Sequence, residues 1–145
     1  MAAVSNRGLG VVVGAPNSKE SEIVRVVYDF AVDGGATGAL DLLQASGALI
    51  IEDASATVKT ACTSGGSATV KSGPTADDDR FMTTTQGAVA SLTANATILP
   101  VVVEGTPNVI ACPYAVADGG KVTMTIGTAA LTAGKIEFCF RVRKA

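Results

Sequence analysis

The stretch Lys135-Ile136-Glu137-Phe138-Cys139-Phe140-Arg141-Val142-Arg143 decides the fold class. Ile136, Phe138, Phe140 and Val142 take alternate positions; Lys135, Glu137, Cys139, Arg141 and Arg143 take the others. A strict period of two over this length predicts a half-buried strand with one apolar face. Lys121–Ile126 repeats the pattern, with Val122, Met124 and Ile126 against Lys121, Thr123 and Thr125. The Ala- and Thr-rich connection Gly127–Gly134 predicts a hairpin or a short crossing between the two.

Working outward, Glu22–Val32 predicts another strand. Val24, Val26, Tyr28, Phe30 and Val32 fall on one face, Arg25 and Asp29 on the other. Further extended runs are predicted over Gly38–Leu43, Ala48–Ala61, Ser67–Ser72, Ile98–Val103 and Asn108–Cys112. Pro100, Pro107 and Pro113 mark strand ends or edges, because proline cannot donate to a ladder. Thr83–Thr93 is the one stretch that predicts a helix, although Gly87 inside it costs about 1 kcal/mol relative to Ala. Asp33-Gly34-Gly35, Ser64-Gly65-Gly66 and Asp118-Gly119-Gly120 each precede an alternating run. Their unequal spacing makes them a repeated turn chemistry and not a solenoid repeat. Short strands separated by such turns predict an all-β, antiparallel sandwich or barrel. Residues 1–21 break every periodicity and read as an extended N-terminal arm, with one short strand over Leu9–Val13. The sandwich domain is placed at residues 22–145.

Composition agrees. The chain has 145 residues, 48% hydrophobic and 17% charged, with 4% aromatic and no Trp. That is one domain, and too apolar for a disordered chain. Net charge is −2. The one basic cluster, Arg141, Arg143 and Lys144, is too small for a nucleic-acid footprint. No segment approaches the roughly 20 apolar residues of a membrane span. The N-terminus lacks a signal-like apolar region, so an unprocessed chain made in a reducing cytoplasm is expected. Three cysteines, Cys62, Cys112 and Cys139, at unrelated spacings read as free thiols.

The chain contains no histidine. That removes Ser-His-Asp and Cys-His catalysis and nearly all zinc and non-haem iron sites. Asp29, Asp33, Asp41, Glu52, Asp53, Glu104 and Glu137 are scattered and read as solvated positions, not as an acid–base pair. Asp77-Asp78-Asp79 lacks EF-hand spacing and its later Glu, so it reads as a polar loop and no metal is expected. Gly8-Leu9-Gly10 with Gly14 lacks the flanking strand and helix of a dinucleotide loop. No catalytic residue and no cofactor is expected. The residues that stand out for a partner are Leu9, Val11, Val12 and Val13, apolar on a polar arm.

Three stretches carry a family resemblance: Tyr28-Asp29-Phe30-Ala31-Val32-Asp33-Gly34-Gly35-Ala36-Thr37-Gly38, Thr60-Ala61-Cys62-Thr63-Ser64-Gly65-Gly66-Ser67-Ala68-Thr69-Val70, and Val122–Lys135 with the aromatic strand after it. Together they resemble the small decoration, or cement, proteins of tailed-phage capsids. The resemblance implies a β-sandwich, often of jelly-roll type, with no catalytic residues. It implies a virion structural protein on the outer capsid surface, made in the host cytoplasm, whose partners are the major capsid protein and further copies of itself as a dimer or trimer. It would stabilise the shell by bridging capsid subunits; no nucleic acid or membrane is implied. A tail- or fibre-associated virion module would look alike in composition. A secreted carbohydrate-binding module fits less well, since only Tyr28 and Tyr114 stand beside the four Phe as sugar-stacking aromatics.

Overall fold

A computed structural model describes residues 5–14, 20–99 and 111–145, with residues 5–7 as backbone alone. Among the described residues ten strands are formed: β1 Ser5–Arg7, β2 Val11–Gly14, β3 Glu22–Asp29, β4 Gly38–Ser46, β5 Leu49–Ser64, β6 Thr69–Pro74, β7 Thr97–Ile98, β8 Tyr114–Val116, β9 Lys121–Gly127 and β10 Leu131–Lys144. One helical turn, α1, spans Phe30–Asp33, and a 3-10 turn spans Val89–Ser91.

The strands make two sheets. The larger runs β1-β3-β10-β5-β7, with β8 also on β5; the smaller runs β2-β4-β9-β6. From β1 to β7 each successive strand changes sheet, and so do β9 and β10. Pairing is nested: β3 with β10, β4 with β9, β5 with β7 and β8. The innermost pair is β6 with the irregular segment Phe81–Val89, held at Ser72–Met82 and Thr69–Ala88. A long antiparallel ribbon folded this way into two layers is a jelly roll, so the predicted all-β sandwich is the fold found.

Alternation explains the layers. In β10, Ile136, Phe138, Phe140 and Val142 are at most 2% exposed, and Val122, Met124 and Ile126 of β9 face them from the other sheet. Each such side chain contributes about 1.5–3 kcal/mol of transfer free energy. β5 keeps its phase by a bulge: Arg141 pairs with Asp53 but Val142 with Ile51, so Ile51 and Ala54 both point inward.

The three Gly-Gly motifs acquire one meaning. Each lies where the chain leaves the larger sheet for the smaller, at β3 to β4, β5 to β6 and β8 to β9. Gly34 (φ 75°) and Gly119 (φ 79°) hold left-handed backbone that such a corner needs.

Two expectations differ from the structure, and two are narrowed by it. Of the hairpin or short crossing expected between Lys121–Ile126 and Lys135–Arg143, the crossing is found, because both strands bury an apolar face and the faces oppose each other. Glu22–Val32 is not one strand. It ends at Asp29, whose carboxylate accepts from the Ala31 N–H at 3.0 Å and caps α1, while Asp33 accepts from the Asp29 N–H at 2.9 Å. Thr83–Thr93 is not a helix. Its backbone bonds outward instead, Gly87 O accepting from Val70 N–H at 2.8 Å and Leu92 O from Cys62 N–H at 2.9 Å. The extended arm is paired over its described part: β1 pairs with β3, and β2, which overlaps the short strand expected over Leu9–Val13, pairs with β4, both in parallel. Of the strands predicted over Ile98–Val103 and Asn108–Cys112, residues 100–110 lie outside the described ones.

Candidate interaction surface

The chemistry-bearing groups are occupied structurally. Burial pushes the Cys62 thiol up to about 11. Cys112 is pushed up to about 11 by burial first and then by Asp53, against the pull of Arg80. Both are protonated at neutral pH and poor nucleophiles. Cys139 lies half-buried on the outer face of the larger sheet, in register between Arg25 and Ser55.

The Asp77–Asp79 loop is tied down by cations. Asp77 pairs with Arg80 at 3.3 Å and Asp78 with Lys71 at 2.9 Å. Arg80 Nε donates to Ala111 O at 2.8 Å, and its guanidinium lies 4.6 Å from the Tyr114 ring centroid. Phe81 continues the cluster with edge-on contacts to Tyr114 and Phe140 at 6.3 and 6.1 Å. Among the described residues no group of three or more Cys, Asp or Glu can hold a metal ion.

Leu9, Val11, Val12 and Val13 separate by alternation. Val13 is 4% exposed, and Leu9 and Val11 pack onto the core; Val12 points outward, 59% exposed. Three of the four residues are thus engaged with their own sandwich.

The two ends of the sandwich differ in charge. At one end, Leu131 N–H donates to Gly35 O and Ser64 Oγ to Ala130 O, joining three corners. Gly87–Ala96 crosses this end from β6 to β5. Of the stretches that build it, residues 60–70, 83–99 and 122–134 contain no charged residue, and the corner after β3 brings Asp33. The exposed positions of those three stretches are mostly Thr, Ser, Ala and Gly, among them Ser67, Thr93 and Ala130, with Asn95 and Leu99 besides. At its rim stands Val32 on α1, 81% exposed. Beside it an open cavity of about 360 Å³ lies between Phe30, Ala31 and Gly134, with Asp29 and Lys135 paired at 3.5 Å along it. The other end carries Asp118, whose carboxylate accepts from Gly47 N–H at 2.8 Å, and Lys121, paired with Asp41 at 2.8 Å. Arg141 and Arg143 approach Glu52 nearby, at 3.9 and 3.6 Å.

An end with few charges, confined to its rim at Asp29, Asp33 and Lys135, and with an apolar knob is suited to burial against protein, since the centres of interfaces are depleted of charge. Sequence reasoning missed Val32 by assigning it to the inward face of a strand. The signal was present: Asp29 and Asp33 around Phe30-Ala31-Val32, then Gly34, spell a capped helical turn.

No protein-family model matches the sequence, and no curated protein matches it. A solved structure does match the fold: a chain of the cyanophage Pam1 capsid asymmetric unit, with a TM-score of 0.61 and 14% identity. The match covers 92% of this chain and 91% of that one. At this identity the likeness is one of fold. The two chains are of nearly equal length.

Proposed function

We propose that this chain is a non-enzymatic virion structural protein that decorates a phage capsid and stabilises it by bridging major capsid protein subunits. The observation that carries the reading is the end-to-end fold match to a chain of a phage capsid asymmetric unit. Because nearly all of both chains is matched, the likeness is to a small one-domain capsid component, not to a fragment of a larger one. The residues that resemble decoration proteins form the corners and flanking strands of this same jelly roll. The missing histidine and the tied-down carboxylates support a role without catalysis.

The mechanism is binding linkage. A protein that binds only the assembled lattice stabilises it by mass action, by RT ln(1 + [L]/Kd) at each site. A dimer or trimer, seated on symmetry-related contacts, adds avidity to modest single interfaces. In this reading the charge-poor end carrying Val32 faces the shell, and the charged end faces solvent on the outside of the virion. The chain would be made in the host cytoplasm and join the shell there.

Purified protein mixed with undecorated shells tests the reading. Co-sedimentation at saturable stoichiometry, with a raised shell disassembly temperature, is the expected result. Failure to bind shells while binding purified tails would replace it with a tail-associated role.

A further inference from the structure

The open side of the sandwich between β3 and β4 is built to hold an extended segment. β3 forms one wall and β4 the other, and residues 5–14 lie along both. β1 takes Val24–Val26 as partners and β2 takes Leu43–Ser46. Leu9, Val11 and Val13 supply the apolar contacts from alternate positions, and Gly10 N–H donates to Asp41 O at 2.8 Å. The side therefore reads one short, patterned peptide.

That peptide is an addition to the fold. The nested jelly-roll pairing is complete without it, and every other pair of described strands is antiparallel. It is held by only three residues in register with β3 and four with β4. β2 ends opposite Ser46 and β3 begins opposite Val142, at the same end of the sandwich. A peptide with few ladder bonds, lying beside its own receptor, is the arrangement that strand exchange between identical chains uses.

We propose that the β3–β4 side of one copy receives residues 5–14 of a second copy, lacing copies of the chain together. The occupant is fixed by the register: the same ten residues make the same contacts, so exchange needs no new surface. The inference concerns the link between copies and does not depend on which shell they bind.

Two full-length proteins test it, one carrying Val12→Cys and the other Gln44→Cys, positions in register and facing outward. Both carry Cys112→Ser and Cys139→Ser; Cys62 stays because it is 6% exposed. They are refolded together and oxidised. Mixed in equal amounts, they should give a disulfide-linked heterodimer in a fraction of chains approaching one half, the statistical limit for random exchange. A mixture that stays at single-chain mass overturns exchange, as does a chain carrying both cysteines that closes its disulfide only within itself. A Val12→Cys protein paired with an Ala130→Cys protein, at the charge-poor end, is the control for random collision; equal linkage there also overturns the proposal.

Discussion

The Tyr28 hydroxyl donates a 2.7 Å hydrogen bond to the carbonyl of Gly34, across the corner between β3 and β4. The ring is fully buried while its oxygen reaches the turn. One side chain thus fixes the end of a core strand and the Gly-Gly corner beyond α1. Tyr28→Phe removes the bond and keeps the ring, so it should cost about 1 kcal/mol. Tyr28→Ala should cost about 3–5 kcal/mol through the cavity. Urea unfolding at neutral pH, read as a shift in midpoint at constant slope, measures both.

The same phenol sets a limit at high pH. Burial first, then the charges of Cys62, Asp33 and Asp29, pushes it up to about 12 from 10.0. A group whose folded pKa is raised contributes stability that is fully present below its unfolded value and lost as pH rises through the folded one. Tyr28 therefore destabilises the fold between pH 10 and about 12, and Cys62, raised from 9.0 to about 11, does so between 9 and 11. The melting temperature should be flat from pH 7 to 9 as far as these two groups govern it, then fall. In Tyr28→Phe the fall should keep its lower limb and lose its upper one.

Gly87 and Gly65 should respond oppositely to the same substitution. A Cβ at Gly87 would sit 1.6 Å from Val70 O, where Phe81–Val89 closes on β6. At Gly65 it would meet nothing within 4 Å, and the backbone there is not left-handed. Gly87→Ala should cost about 3 kcal/mol or more, and Gly65→Ala should stay within about 0.5 kcal/mol. Thermal melts of the two proteins side by side decide it.

If the charge-poor end faces a shell, a charge placed there must be buried without a partner. Ser67→Glu and Ala130→Glu should each weaken shell binding at least tenfold, about 1.4 kcal/mol, with little change in melting temperature because both positions are exposed. Lys144→Glu, at the far end of β10, should leave binding unchanged. Quantitative co-sedimentation against shell concentration reads all three. Equal loss in all three variants would point to bulk charge rather than to a face.

Much of this architecture was legible because β9 and β10 alternate cleanly, and alternation reports directly which side chains are buried. It does not report which sheet a strand joins, so two adjacent amphipathic strands read equally as a hairpin or as the crossing that is found. Thr83–Thr93 misled because Ala and Thr speak only to local preference. The backbone there is claimed by β6 and β5 across the molecule, and Gly87 is present because Val70 comes so close. Val11-Val12-Val13 read as an exposed apolar patch because a three-residue run shows no period; only the parallel register with β4 separates Val12 from its neighbours. The charge-poor end was visible as three long neutral stretches, but nothing in the order of residues says that they meet.

β10 lies between β3 and β5, so the last strand is the centre of the larger sheet. β3 and β5 cannot be joined until Leu131–Lys144 has been synthesised, about a hundred residues after β3. At roughly 5–20 residues per second, the growing chain spends about 5–20 s with those two strand edges unmatched. Pairings this distant in sequence also fold slowly once the chain is whole. The nascent chain is therefore most exposed to aggregation just before its final strand emerges, and a chain cut short within β10 should be lost to inclusion bodies or proteolysis rather than accumulate as a smaller sandwich.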